Sequence, residues 1–317
     1  MTETTPPDQG PPDTAPQPGA PRDLGGGIRA ILAPNPSPMT HWGTNTYLLG
    51  TRRLAVIDPG PDDPAHLAAI LGALGPGQSI SHILVTHAHL DHSPLARRLS
   101  AATGAPVLAH GGPEAGRSAV MARLAQAGRI GGGEGVDSGF APDRALGDGE
   151  PVAGDGWHLT AHWTPGHFGN HMCFDAGGDM FSGDLVMGWA STLISPPDGD
   201  LTQFRASCAR LAAAAPARLL PGHGAPVSEP AARIAWQVAH RDAREAAILG
   251  QLARGPADAA TLARRIYTDT PPGLLGAAAR NVLAHLVDLL QRSRVRALSP
   301  LSRTTRFALS GGPGEDA

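Results

Sequence analysis

The feature that most constrains this chain is His87-Ala88-His89-Leu90-Asp91-His92, which sets three imidazoles and a carboxylate within six residues. It directly follows Ile83-Leu84-Val85-Thr86, an apolar β-favouring run. Each neutral imidazole offers one lone pair to a borderline metal, and the carboxylate adds charge to hold a dication. His87 and His89, two apart on extended backbone, can point to one side and share one ion. Asp91 and His92 lie past the bend, where a helix begins, and can reach a second ion. A solvated histidine-rich loop is the competing reading. It suits a single His, but not a cluster this dense and so spaced. The segment therefore reads as a metal site.

The chain has 317 residues and is 41% hydrophobic, enough for one large core and a smaller domain. Aromatic residues make up only 4%, so Ala, Leu and Val must carry most of the packing. All 25 basic residues are Arg. Two Cys, at 173 and 208, are too few for a disulfide framework and lack metal-motif spacing, so a reducing compartment is expected. No run of eighteen or more apolar residues is present, so no membrane span is expected. The Pro-rich start does not read as a secretion signal, and cytoplasm is the expected location. The net charge of -3 hides an asymmetry: residues 1–232 hold 13 Arg against 21 acids, whereas 233–306 hold 12 against 5. That basic tail can attract polyanions, or its Arg can simply decorate exposed helix faces.

Residues 1–26, rich in Pro and Gly, read as disordered. A first domain is expected over 27–230 and a second over 231–317, its last residues disordered. Strands are predicted from Ile28 to Leu32, then Thr44 to Leu49 and Leu54 to Ile57 as a hairpin about Gly50, with a helix over His66 to Leu74. Ile80 to Thr86 forms the strand that delivers the histidines. Ser93-Pro94 then reads as the cap and first turn of a helix over Leu95 to Ala102, so the loop sits where α/β folds place ligands. Residues 111–139 are Gly-rich around a helix from Ser118 to Ala127 and read as a mobile rim. Further strands are expected at Pro106 to Ala109, Leu159 to Trp163, His171 to Phe174, Met180 to Ser182 and Arg218 to Leu220, with a helix over Leu201 to Ala214. Beyond residue 230 the period becomes helical, at Val238 to Leu252, Ala257 to Tyr267 and Leu274 to Gln291, followed by strands at Val295 to Leu298 and Arg306 to Leu309. Three helices and a β-ribbon make a winged-helix pattern. In the third helix Leu275, Ala279, Val282, Leu286 and Leu289 form the apolar stripe, opposite Arg280, Asp288, Arg292 and, in part, His285.

One cluster cannot complete two coordination spheres. Three other segments repeat one design, an apolar strand, a glycine bend and a metal-capable side chain: Thr164-Pro165-Gly166-His167, Phe181-Ser182-Gly183-Asp184 and Pro221-Gly222-His223-Gly224. Singly each is weak; in order after the first cluster they are jointly strong. Together these segments resemble the metallo-β-lactamase-fold hydrolase superfamily over about residues 28–230. The resemblance implies an α/β (α+β) fold, an αββα sandwich, with two metals, usually zinc (Zn2+), at one edge. It implies that His87, His89 and His167 bind the first metal, that Asp91, His92 and His223 bind the second, and that Asp184 bridges them. Gly43-Thr44-Asn45-Thr46-Tyr47-Leu48-Leu49, His240-Arg241-Asp242-Ala243-Arg244-Glu245, Ile266-Tyr267 and Ala284-His285-Leu286 resemble the lactamase-beta-like subgroup with a C-terminal winged helix. Some of its members are endoribonucleases acting on single-stranded RNA. The chain departs from the pattern at Ala88, Leu90, Pro94 and Phe168, none of them a ligand.

Two dications roughly 3.5–4 Å apart can share one water and lower its pKa until hydroxide exists near neutrality. The resemblance gives Asp91 a catalytic role in accepting or relaying that water's proton. Each ligating His needs an acceptor for its other ring nitrogen. Asp58 reads either as that partner or as the cap of the Pro59-Gly60 turn. His171 contacts substrate or donates a proton, or else makes a structural hydrogen bond, and Asn45 closes a turn. His240 and Arg241 line a substrate groove or begin a helix with a solvated Arg. His41, His110, His158 and His162 read as ordinary. The leading expectation is a metal-dependent, two-zinc hydrolase, with single-stranded RNA as a candidate substrate. A thioester hydrolase resembling hydroxyacylglutathione hydrolase, acting on a small-molecule ester or thioester, shares every ligand. A third reading is a nucleic-acid-binding regulator with an inactive hydrolase body, and a homodimer stays open.

Overall fold

The computed structural model describes residues 14–311, and the ends of the chain, residues 1–13 of the Pro-rich start and residues 312–317, lie outside it. Two sheets face each other. The first runs in order β1 (Arg22–Asp23), β2 (Ile28–Leu32), β3 (Asn45–Leu49), β4 (Arg53–Ile57), β5 (Ser79–Leu84), β6 (Val107–Ala109) and β7 (Arg144–Ala145). In the second, β8 (Glu150–Ala153), β9 (His158–Trp163), β10 (Met172–Ala176), β11 (Asp179–Gly183) and β12 (Arg218–Pro221) follow in sequence across the sheet. Tyr47, Ile57 and Leu84 from one sheet pack against Phe174, Phe181 and Leu220 from the other. Side chains of this size contribute about 1.5–3 kcal/mol each when fully buried.

The outer faces carry helices. Ile70 of α1 (Pro64–Gly72) and Leu95 and Leu99 of α2 (Leu95–Thr103) pack on Ile31, Val56 and Ile83. After α3 (Ala119–Ala127), α4 (Leu201–Ala214) places Phe204, Cys208 and Leu211 over Met180 and Leu219. This is the expected αββα sandwich. The hairpin forms as read, with Tyr47 opposite Ile57. Four short features differ from expectation. β1 lies inside the stretch read as disordered, because Arg22 and Asp23 pair with Ala30 and Arg29. β7 and β8 are too short to register as periodic runs. Ser93 does not cap α2, whose first turn has no side-chain cap. Its hydroxyl instead donates to Asp137 at 2.8 Å, with the His89 carbonyl 3.1 Å away.

α5 (Pro230–Leu252) is longer than expected and begins at the domain boundary placed at 230/231, with Pro at its first position. α6 (Ala259–Ile266), a single 3-10 turn (Pro272–Leu274), α7 (Leu275–Gln291) and the ribbon of β13 (Val295–Ala297) and β14 (Phe307–Leu309) complete the chain. Leu262, Val282, Leu286, Leu289, Val295 and Phe307 form their common core. The side of α7 expected to face solvent does so only at its end, where Arg292 stays exposed. His285 and Asp288 are buried, and Asp288 accepts a hydrogen bond from Thr202 of α4 at 2.7 Å. That side docks on the sandwich. Pro272–Gln291 is long and apolar enough to cross a membrane by length and composition, but half of it is buried inside this structure.

Candidate metal centre

Four strand ends meet at one edge of the sandwich. β5 feeds the histidine loop, β9 feeds His167, β11 ends in Gly183 before Asp184, and β12 ends before His223. Backbone bonds tie these ends together: Met172 N–H donates to the Thr86 carbonyl at 2.8 Å, and Asn45 N–H to that of Gly222 at 2.7 Å. Gly183 has φ +47, and a Cβ there would lie 2.6 Å from His171 Nε2 and 2.9 Å from Thr86 Oγ1. At Gly222 a Cβ would lie 2.5 Å from Asp184 Oδ1 and 2.6 Å from His92 Cε1. Side chains are excluded at Gly183 by the bracing His171 and Thr86, and at Gly222 by Asp184 and His92 of the cluster itself.

All seven expected ligands converge. Three groups with mutually close donor atoms form: His87, His89 and His167; Asp91, His92 and His223; and His87, His92 and Asp184. His89 Nδ1 lies 2.9 Å from His87 Nε2 and 3.1 Å from His167 Nε2. His92 Nε2 and His223 Nε2 are 3.3 Å apart. Asp184 stands between the groups, with Oδ2 3.7 Å from His167 Nε2 and 3.4 Å from His223 Nε2, and Oδ1 3.5 Å from His92 Nε2. The backbone around the histidines is irregular instead of extended, since β5 ends at Leu84, yet the first two rings still meet.

The far nitrogens of four rings are anchored, and the anchors fix their tautomers. His167 Nδ1 donates to the Leu193 carbonyl at 2.7 Å, and His223 Nδ1 to the Gly43 carbonyl at 3.0 Å. His92 Nδ1 donates to Asp58 Oδ2 at 2.9 Å. Thr86 Oγ1 gives its own proton to Asp58 Oδ2 at 2.8 Å and so accepts from His87 Nδ1 at 2.9 Å. Once neutral, each of these rings is left with a bare lone pair aimed inward. A proton on His89 Nδ1 could serve only one of its two neighbours. Asp184 Oδ1 is buried with no hydrogen-bond partner. Lone pairs facing one another at such distances fit cations with nitrogen ligands about 2.0–2.1 Å away.

The electrostatics agree. Burial, then neighbouring His92 and His89, hold His87 well below its usual range, and burial with His167 takes His89 to about 3. Burial also opposes charge on His223, but Asp184 and Asp91 outweigh it and push the ring up to about 9. His92 is raised well above its usual value: burial opposes this, and Asp91, Asp184 and Asp58 overcome it. Asp184 is held well below the carboxylate range, where burial is overcome by His223 and His92. In the metal-free chain, protons on His92 and His223 balance charge that a cation would otherwise balance.

Asp58 takes the partner role of its two readings, holding His92 and Thr86 and accepting Thr86 N–H at 2.7 Å. His171 makes a structural hydrogen bond: its Nε2 accepts Asp184 N–H at 3.2 Å and its Nδ1 pairs with Thr164. His240 and Arg241 do not join the cluster. His240 stacks on Trp236 of its own helix, and Arg241 is buried on the Thr192 carbonyl and Asn281. Asn45 does more than close its own turn, since its amide donates to the carbonyls of Pro221 and Gly224 at 3.0 and 2.9 Å and braces the His223 bend. Asn170, which sequence reading missed, accepts Ala88 N–H at 3.2 Å and donates to the carbonyls of Gly111 and Gly112. The Gly-rich rim is tied to the loop: Leu90 N–H donates to the Gly135 carbonyl and Asp137 N–H to that of Ala88. His41, read as ordinary, lies stacked between Trp42 and Trp189, with ring centroids 4.5 and 4.8 Å away, beside the His223 bend.

Comparison with known proteins agrees with this geometry. Residues 39–223 match the metallo-beta-lactamase superfamily, and residues 259–300 match the beta-lactamase associated winged helix domain. The chain belongs to the metallo-beta-lactamase superfamily and is a metal-dependent hydrolase. It is 31% identical to a beta-lactamase-like protein 2 homolog of Drosophila melanogaster, over 84% of this chain and 88% of that protein. A homolog of the same description from Caenorhabditis elegans is 26% identical over 92% of this chain and 93% of its own length. Among solved structures, a beta-lactamase domain protein from Burkholderia ambifaria superimposes with a TM-score of 0.78 at 25% identity, covering 94% of this chain and 96% of that one. A metallo-beta-lactamase family protein from Thermus thermophilus gives 0.72 at 26% identity, covering 90% and 100%. Members of this superfamily typically bind two metal ions.

Proposed function

We propose that this chain is a two-zinc hydrolase that cleaves single-stranded RNA. The observation that carries the hydrolase is the convergence of seven side chains on inward lone pairs. His87, His89 and His167 would hold one ion, Asp91, His92 and His223 the other, and Asp184 would touch both. Bound there, two cations supply a water ionised near neutral pH and positive charge opposite the oxygen that becomes more negative. The protein's part is placement and proton movement. Asp91 is the cluster carboxylate with the more exposed side chain, 27% against 9% for Asp184, so it is suited to take a proton from water and pass it outward. Asp58 holds the His92 ring and, through Thr86, the His87 ring, so neither can turn its bare nitrogen away.

Two observations support RNA. Arg254, Arg264, Arg265, Arg294, Arg296 and Arg306 are exposed on the C-terminal domain, whereas Arg233, Arg241 and Arg280 of the same basic tail turn inward. An exposed arginine surface attracts a polyanion. The half-buried His41, Trp42 and Trp189 rings beside His223 offer faces on which an unpaired base can stack. The regulator reading loses support because α7, the helix a DNA groove would need, is buried on the side that docks on the sandwich. The thioester reading is favoured by one observation, the exposed Leu90 inside the ligand loop, at 52% exposure. A panel of single-stranded RNA, duplex DNA and an acylglutathione thioester, assayed with zinc-loaded enzyme, tests the choice. RNA cleavage abolished by chelator and by Asp184→Ala is the expected outcome. Thioester turnover without RNA cleavage would replace it.

A further inference from the structure

We propose that the C-terminal domain positions His167 through a single peptide unit, and that Asn281 on α7 is its positioning residue. This rests on the reading of His167 as a metal ligand. The Nδ1–H of His167 ends on the Leu193 carbonyl at 2.7 Å. The other end of that same planar unit, the Ile194 N–H, donates to Asn281 Oδ1 at 2.9 Å. Because a peptide unit is rigid, turning one end turns the other. The side chain that holds Ile194 N–H therefore aims the carbonyl that fixes the His167 ring.

The unit lies in the irregular segment between β11 and α4, with no strand or helix of its own to hold it. Its neighbours are held from two sides. From the sandwich, Thr192 Oγ1 bonds to the carbonyls of Asp184 and Leu185 at 3.0 and 2.9 Å. From the C-terminal domain, Arg241 of α5 donates to the Thr192 carbonyl and to Asn281 Oδ1. Arg280 of α7 donates to Ser195 Oγ at 2.8 Å, to the Ile130 carbonyl at 2.5 Å and to that of Pro196. Asn281 is the point where both helices meet the relay, since its one oxygen receives Arg241 and Ile194 together. The winged-helix domain thus completes the first ligand triad from outside the sandwich.

The test is metal affinity of the full chain. Zn2+ and Co2+ are titrated into metal-free wild type, Asn281→Ala, Asn281→Asp and His167→Ala, with the two ions separated by the absorption bands of Co2+. Partners of ligating histidines commonly control affinity by about 10–100-fold. Asn281→Ala is expected to weaken one of the two ions by at least about tenfold and shift its Co2+ band, with the other ion within about twofold. Asn281→Asp keeps the acceptor oxygen and is expected to restore the weakened ion. If His167→Ala weakens one ion but Asn281→Ala weakens neither, the relay is overturned while the ligand reading stands. Equal weakening of both ions in Asn281→Ala, tracking a lower Tm of the metal-free protein, also overturns it, because general loosening then explains the result. An unchanged His167→Ala removes the ligand reading itself.

Discussion

Among the described residues, two regions rich in buried polar groups are built in opposite ways. Beneath the C-terminal domain, Arg233, Arg241 and Arg280 send their donors onto backbone carbonyls: Met187 and Ala190, Thr192, and Ile130 and Pro196. Most of these donors are met by the protein itself, although among the described residues Arg241 Nε is buried without a hydrogen-bond partner. At the sandwich edge the outward ring nitrogens are held by carbonyls and side chains, and the inward ones face only each other and the Asp91 and Asp184 carboxylates. A buried polar cluster that closes on carbonyls is architecture, while one whose inward nitrogens and carboxylates meet only each other awaits a ligand.

The comparison can be broken most severely at Asp91. Asp91→Ala removes the exposed carboxylate without touching the outward anchors, and hydrolysis is expected to fall by about 10²–10⁴-fold with the fold intact. Near-full turnover would remove its proton role. The closed cluster responds differently. Arg241→Met strips donors from the Thr192 carbonyl and Asn281, and thermal or denaturant unfolding of the metal-free protein should show a loss of about 1.5–3 kcal/mol. An unchanged stability would show that those bonds are dispensable.

His285 is the exception that sharpens the contrast. It is buried in the C-terminal domain with both ring nitrogens unpartnered. Burial, then Arg241 and Arg205, hold it well below its usual value of 6.5. The folded ring stays neutral while the unfolded one gains a proton below about 6.5, so its contribution is present above that pH and lost as pH falls. His285→Leu should therefore gain stability over wild type with falling pH, by up to about 1.4 kcal/mol per pH unit below 6.5. A constant difference between pH 8 and pH 5 (measured by denaturant midpoint) would contradict the assignment.

The clustering of these seven side chains was legible because the first loop is dense in His and Asp, and because strand, glycine and metal-capable side chain recur in order at His167, Asp184 and His223. Asp58 was half legible, since a carboxylate after a strand can cap a turn or hold a ring equally well. The Gly43 and Leu193 carbonyls were not legible, because a backbone acceptor has no signature in residue type. Arg241 misled for a related reason: an Arg on a helix reads as solvated until the surface it docks on is known. The polar side of α7 failed in the same way. His285 and Asp288 lie opposite the apolar stripe, yet both are buried, Asp288 against Thr202 of the sandwich. β1 was hidden by composition, since a Pro- and Gly-rich stretch gives no period while two residues still pair.

The central claim is that lone pairs anchored from outside enclose two cations. Isothermal titration of Zn2+ into the metal-free full chain reads it directly. Two ions per chain are expected for wild type, with proton release as the His92 and His223 protons leave, and fewer than two after His87→Ala or His223→Ala. Binding of no zinc, or stoichiometry unchanged by both substitutions, would contradict it.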